Sequence, residues 1–497
     1  LQYFNTPAEI IASVSSSPIA LLLIVYILLS TFFIWVYISI FKKYISHPVT
    51  TIKFLQIMVQ LLLIAFLLIP IRGGFQQIPV NQSNVYFSDK IFANHAAVNV
   101  PWNLVHSLRR SDFKHHNPYL YFSEKKARQY LDSLYPAEKN LPPEILTTKR
   151  PDIIFIILES YTAKLIGCLG GEPGITPNID KIASGGMLFK NIYASGERSE
   201  KGLVALLSGY PTQTTTSIIM SPSKTEGLPH LNKILKEQGY HSGYYYGGEL
   251  AFANIKSYLL NAGYDKLISK ENFEKKDYNS KWGVHDEVLL NKFSLDIKAE
   301  KRPFFYTLFT LSSHEPYDIP VKPKFTGSDE ITKFKNSFYY TDQAIGNFIE
   351  QAKKQSWWDS TLIIMVADHG HRLPGNDPND RPSKFRIPLI FTGGALKFKN
   401  QVNNSIGSQT DITYTLLQQM GLQTNGFKWS KNLLDTTAEQ FAFYVFNNGF
   451  GIVTTKGTVS FDNVSKKIIY KDKETDTAQL NTGKAYMQLS FEDFMQR

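Results

Sequence analysis

The chain opens on two long uncharged runs and, from residue 151, changes to short apolar runs separated by helical segments. Residues 18–41 (PIALLLIVYILLSTFFIWVYISIF) carry no charge. At a rise of about 1.5 Å per residue, a helix over them reaches about 36 Å, enough for a hydrocarbon core of about 30 Å. A second run over residues 54–71 has only Gln56 and Gln60 as strongly polar side chains. Both runs are apolar on every face, unlike the one-sided helices of soluble domains, and two transmembrane helices are expected. Their connector holds Lys42, Lys43 and Lys53 and no acid, so it belongs on the cytoplasmic side and everything after Ile71 lies outside. The chain begins at Leu1 rather than a methionine, which leaves room for further spans ahead of it. Residues 76–150 read as a juxtamembrane linker with a short surface helix over residues 123–135. Pro136, Pro142, Pro143 and Pro151 then mark a boundary.

Beyond it, strands are expected at residues 152–158, 242–246, 304–310, 362–367 and 387–392, with helices over 231–238, 342–354 and 411–420. Continuous apolarity, rather than alternation, means burial on both faces, so the fold class is α/β with a mainly parallel sheet flanked by helices. The residues that follow the strands carry chemistry. Glu159 follows the first, Glu249 the second, His314 the third, and Asp368-His369 the fourth. Ligands of an open α/β sheet bind at the carboxyl ends of its strands, so these side chains meet at one edge. Singly, Glu159 reads equally as a helix N-cap and His314 as a turn histidine.

The segment ASGERSEKGLVALLSGYP places Ser199 at or near a helix N-terminus, where free N–H groups attract phosphate, although serine is also the usual N-cap there. A hydroxyl needs a base or a metal to act as a nucleophile. Glu159, Asp368 and His369 are donors suited to Zn²⁺, Mn²⁺ or Mg²⁺ and, converging on Ser199, would let a cation activate it. The 13% aromatic and 19% charged content excludes a disordered chain, and the single cysteine, Cys168, excludes a disulfide framework and reads as an inert small hydrophobe. The net charge of +10 has no basic block, so an anionic membrane is the expected partner and nucleic acid is not.

The strings PDIIFIILESYTAKLIG, TPNIDKIASGGMLFKNIYASGERSEKGLVALLSGYP, WGVHDEVLL, LSSHEPY, VADHGHR and QTDITYTLLQQMG together resemble the lipoteichoic acid synthase family, over about residues 151–421. That family is a membrane-anchored branch of the alkaline phosphatase/sulfatase superfamily. The resemblance implies that Glu159, Ser199, Asp368 and His369 bind one divalent metal, Mn²⁺ foremost with Zn²⁺ or Mg²⁺ possible. It makes Ser199 the nucleophile of a covalent phosphoryl-enzyme and His314 a contact to the substrate phosphate or leaving group. Residues 441–470 resemble the closing hairpins, with a turn at Asp462-Asn463. The expected division is an anchor over 1–75, a linker over 76–150, a catalytic domain over 151–435 and a β-rich part over 436–497.

The chain departs from the family twice. Serine stands where the synthases carry threonine. The family's His-Gly-Asp with a following Trp and Arg, which grip glycerol phosphate, corresponds here to Tyr246-Gly247-Gly248-Glu249 and to Ala253 and Ile255. Glu249 is thus a substrate-binding candidate in place of the acid, while the arginine's bidentate anion contact is lost. Arg372 follows the metal pair and is a further candidate for the substrate phosphate or a plain surface arginine. Trp282 and Asp286 match a family element in which a structural role is equally open. His371, on an extended chain, points away from His369; Lys201 lies on the nucleophile helix, where it can face the anion; Asp411 reads as an N-cap.

The expected activity is transfer of a phosphoglycerol or similar phospho-alcohol group from a membrane phospholipid to a glycolipid, glycan or polymer acceptor, outside the cytoplasmic membrane. A phosphoethanolamine transferase or a phosphodiesterase uses the same chemistry. A sulfatase requires C/S-x-P-x-R, which neither Ser199-Glu200-Lys201-Gly202-Leu203 nor the stretch after Cys168 supplies. A non-catalytic membrane sensor or scaffold would have lost a metal ligand, and none of the four is lost.

Overall fold

The computed structural model describes residues 19–40, 42–43, 54–76, 78–88, 90–110, 116–136 and 142–497. Helices Ile19–Ile40 and Phe54–Arg72 lie where the two spans are expected. Most of their described side chains are apolar and exposed, Phe33 at 65% and Trp35 at 64% among them. Among the described residues, no helix is long and apolar enough to cross a membrane. The ends of the first expected span, Pro18 and Phe41, and the connector that carries Lys53 lie outside the described residues.

The chain divides into two compact units, Leu1–Pro79 and Val80–Arg497. Residues just after Val80 are tied to the second unit. Asn81 donates to Ala251 O (2.7 Å) and Ser83 donates to Ser257 Oγ (2.9 Å). The short surface helix is Glu124–Asp132.

An eight-stranded sheet forms the body of the second unit. Its strands are β1 (Asp152–Leu158), β2 (Met187–Tyr193), β3 (His241–Tyr246), β4 (Lys266–Ile268), β5 (Phe304–Phe309), β6 (Thr361–Ala367), β7 (Arg386–Thr392) and β8 (Gln401–Ser408). They lie in the order β4-β3-β5-β1-β6-β7-β2-β8, and only β7 runs antiparallel to its neighbours. Every residue of β1, β5 and β6 is buried, as the unbroken apolar runs require. Three strands escape the apolar pattern for physical reasons. β2 is broken by Lys190 and Asn191 at a bulge, β4 has three residues, and β8 is a largely polar edge strand. The helix expected to start at 342 runs Glu330–Ala352, because Asp329 caps it by accepting the Thr332 N–H (3.0 Å).

A separate antiparallel sheet of β9 (Phe441–Phe446), β10 (Gly449–Thr454), β11 (Gly457–Asp462) and β12 (Lys467–Lys471) follows. Its last turn is held by Asp462, which accepts from Val464 N (3.1 Å) and Ser465 N (2.5 Å). The C-terminal part is not all β: helix Thr477–Gln496 closes the chain against β10 and β11.

Candidate active site

Register brings the chemistry together. β1 and β6 are paired in parallel with Leu158 opposite Ala367, so the next residues, Glu159 and Asp368, emerge side by side at the carboxyl edge. Glu159 is 2% exposed and caps no helix, and its N–H donates to Thr310 Oγ1 (2.8 Å) just past β5. Ser160 takes a left-handed backbone conformation (φ +58°), uncommon for a residue with a Cβ. Its N–H then donates to Asp368 Oδ1 (2.8 Å) and its hydroxyl to Glu159 Oε1 (2.7 Å).

The helix that begins at Ser199 runs Ser199–Ser208. Its N-cap is Arg198, so the N-cap reading of Ser199 is corrected: Ser199 is the first helical residue, and its hydroxyl is free to point elsewhere. It donates to Glu159 Oε2 (3.3 Å). The helix can come this close because residue 202 is glycine: a Cβ there would stand 1.8 Å from Asp368 O.

Glu159, Asp368 and His369 offer ligand atoms that all lie within 4.8 Å of one another. His369 Nε2 is 3.7 Å from Glu159 Oε1 and 3.6 Å from Asp368 Oδ2. His369 Nδ1 is 2.7 Å from Gly370 O, a carbonyl that can only accept. The proton therefore sits on Nδ1, and Nε2 turns its lone pair to the carboxylates. Burial, and then the neighbouring Asp368 carboxylate, push the Glu159 carboxyl up to about 8. Burial opposes charge on His369, but the Asp368 and Glu159 carboxylates outweigh it and hold the imidazole above its usual range. Asp368 Oδ1 accepts two N–H groups, whereas Oδ2 is buried without a hydrogen-bond partner. Two adjacent buried carboxylates, an orphaned oxygen and an imidazole lone pair form a donor set that fits a divalent cation.

Glu159 and His369, with Ser199, line a cavity of about 530 Å³. Among its lining residues are His314, Tyr317, Arg198, Arg372, Lys384 and Asn447. His314 Nδ1 donates to Glu315 O (2.9 Å), and its ring meets Trp282 edge-on at 5.1 Å. Arg372 lies on the rim, tied by its guanidinium to Glu330 and Asn376. Glu249 is held by Lys270 (3.5 Å) and is not among the lining residues.

The remaining singled-out residues find other work. Lys201 is buried, donates to Thr214 O (3.4 Å) and does not line the cavity. His371 lines it but packs on Tyr317 and Phe334, and burial pushes its pKa down to about 2. Asp286 is structural: Oδ1 accepts the Leu311 N–H (2.6 Å) and Oδ2 the Thr341 hydroxyl (2.5 Å). Asp411 is not an N-cap, which is Gln409. Its carboxylate accepts from Ser408 N (2.8 Å) and pairs with buried Lys431 (2.9 Å). Burial pushes the Cys168 thiol up to about 12, so it stays protonated. Sequence reasoning missed Lys384, Arg198, Tyr317 and Asn447. Of these only Arg198 carried a signal, its place beside Ser199.

The sulfatase family profile matches residues 151–422, more than half of the chain. The chain is 26% identical over 367 residues to lipoteichoic acid synthase 1 of Bacillus subtilis, covering 67% of this chain and 55% of that one. It is 23% identical over 338 residues to the lipoteichoic acid synthase-like protein YvgJ of the same organism, covering 62% and 54%. The chain thus spans about half the length of these curated relatives. A crystal structure of an alkaline phosphatase superfamily protein from Vibrio parahaemolyticus superimposes with a TM-score of 0.66 at 27% identity, over 76% of this chain and 97% of that one. The lipoteichoic acid synthase LtaP of Listeria monocytogenes shares the fold, with a TM-score of 0.62 at 17% identity over 74% and 98%.

Proposed function

Because the chain belongs to the sulfatase family, as a lipoteichoic acid synthase-like member of the alkaline phosphatase/sulfatase superfamily, we propose that it is a phosphotransferase acting on a phospholipid head group. The reading rests above all on one observation: the Ser199 hydroxyl is bonded to a buried carboxylate cluster in which Asp368 Oδ2 is left without a hydrogen-bond partner. Glu159, Asp368 and His369, with Ser199 Oγ, would hold one divalent metal. When bound, such a metal lowers the pKa of a ligating hydroxyl and neutralises phosphoryl charge.

Ser199 Oγ attacks the phosphorus of a phosphoglycerol or similar phospho-alcohol lipid. The bond from phosphorus to the diacylglycerol oxygen breaks, and diacylglycerol leaves with a proton. An acceptor hydroxyl of a glycolipid, glycan or polymer then attacks the phosphoserine, and Ser199 Oγ departs and regains its proton. Gly202 and the Glu159 carboxylate hold the nucleophile in place between the two displacements. His314, which lines the cavity, would serve the leaving and entering oxygens. The exposed apolar surfaces of helices Ile19–Ile40 and Phe54–Arg72 support an anchor over residues 1–75 that keeps the catalytic domain outside the cytoplasmic membrane, where donor lipid is concentrated.

Diacylglycerol release from vesicles of a fluorescent phosphatidylglycerol tests the reading. The native chain with Mn²⁺ should release it and Ser199→Ala should not. Absence of release with Mn²⁺, Zn²⁺ and Mg²⁺ alike, or release that persists in Ser199→Ala, would refute it.

A further inference from the structure

We propose that Lys384 and Arg198 form the anion grip of the catalytic cavity, binding the non-bridging oxygens of the substrate's phosphate. This deepens the reading above and rests on it.

Three cationic side chains line the cavity, and they are not alike. Arg372 is already neutralised by Glu330. Lys384 Nζ meets the side-chain oxygen of Asn379 and lies over the Phe385 ring (6.0 Å), and among the described residues neither Lys384 nor Arg198 forms an ion pair. A partly buried ammonium without a counter-ion is costly to maintain, and an anionic ligand removes that cost. Burial does push the Lys384 pKa down, as expected of a cation that waits for its anion.

The backbone that carries each cation is also fixed in place. The backbone of Lys384 lies against the segment after Asp368-His369 so closely that a Cβ on Gly370 would stand 2.0 Å from Lys384 O. The next residue, Phe385, stacks on Tyr444 of β9 at 4.1 Å. The hydroxyls of Tyr444 and Ser460 both donate to Asp380 O (3.1 and 2.7 Å), which fixes the loop that leads to Lys384. The small C-terminal sheet therefore props the cationic side of the cavity. Arg198, for its part, is the N-cap of the nucleophile helix, and its carbonyl accepts from Lys201 N and Gly202 N (each 3.0 Å).

A phosphodiester poised for attack by Ser199 spreads its charge over two non-bridging oxygens. The carboxylate cluster repels them unless a cation fills it. Lys384 and Arg198 supply N–H donors to them from the part of the cavity wall that the carboxylates do not occupy, and charge-assisted bonds of this kind are the strong ones.

The test is calorimetric titration of the Mn²⁺-loaded full chain with inorganic phosphate, with turnover of phosphatidylglycerol vesicles measured alongside. In Lys384→Met, phosphate affinity should fall about 10- to 100-fold. Arg198→Gln, a change at an exposed side chain, should lower it in the same direction. KM should rise more than kcat falls, Lys384→Arg should restore most of the loss, and Mn²⁺ affinity should stay native. Phosphate affinity unchanged in both Lys384→Met and Arg198→Gln overturns the proposal. Phosphate binding is read without turnover, so a native chain that binds phosphate through Lys384 but releases no diacylglycerol would refute the transferase reading and leave the grip standing.

Discussion

The cavity has two kinds of wall. One is made of strand ends: Glu159 after β1 and Asp368-His369 after β6, set side by side by parallel pairing. The other is made of loops: Arg372 and Lys384 on the connection into β7, Asn447 on the turn between β9 and β10, and Arg198 at a helix cap. The first wall gathers negative charge around a nucleophile, and the second presents cations. A sheet edge fixes atoms by hydrogen-bonded register, so it suits ligands that must meet within a few ångströms. A loop wall needs outside support, which the C-terminal sheet provides through Tyr444 and Ser460. On the reading proposed above, reaction type belongs to the sheet and substrate grip to the loops, as in other folds where function varies by loop on a fixed scaffold.

If that division holds, damage to the two walls should differ in size and kind. Ser199→Ala should lower diacylglycerol release by more than about a thousandfold, since nothing else replaces a covalent nucleophile, while the thermal midpoint without metal stays near native. Asp368→Asn should abolish the stabilisation that Mn²⁺ gives the native chain, about 2.7 kcal/mol at a hundredfold excess over Kd, as read by denaturant unfolding with and without the ion. Gly202→Ala should cost about 1–3 kcal/mol, because the new Cβ drives the nucleophile helix off Asp368 O. Both stability and kcat should drop, and an unchanged kcat would show that the helix approach is not needed.

Acid should weaken the support beneath the first wall. His230 is buried at the far end of the nucleophile helix, accepting the Ser208 hydroxyl (3.2 Å) and donating to Thr225 O (2.7 Å). Burial pushes its pKa down to about 3, so the folded chain keeps it neutral. A depressed histidine contributes stability above the unfolded pKa of about 6.5 that is lost as pH falls toward 3, at up to about 1.4 kcal/mol per pH unit. Unfolding at pH 7 and 5.5 should show a flatter slope in His230→Gln. The smallest effect expected is on the second wall. Tyr444→Phe keeps the ring on Phe385 and loses the bond to Asp380 O, at about 1 kcal/mol. It should raise KM with little change in kcat.

The two walls also differed in how far the sequence revealed them. DIIFIIL and LIIMVA show as buried parallel strands because nothing polar interrupts them, and the polar residues that follow are then forced to the edge. Glu159, Asp368 and His369 were legible on that ground, and Ser199 through its place before an apolar helix. Lys384 was not, because its role comes from contacts between residue 385 and residue 444, which no local pattern encodes. Glu249 misled for a related reason: it follows a strand as Glu159 does, but β3 lies two strands away from β1 and the side chain turns to Lys270. The edge strand β8 hid because Asn403, Asn404 and Ser405 break its apolar pattern, and its first six residues are exposed or half-buried.

The most direct measurement is peptide mass spectrometry of the full chain, mixed with phosphatidylglycerol vesicles and Mn²⁺ and acid-quenched within the first turnover. A phosphoglycerol adduct should appear on the peptide that contains Ser199 and be absent from Asp368→Asn. Diacylglycerol release with no adduct, or with the adduct on another residue, would contradict the placement of the nucleophile in the buried carboxylate cluster.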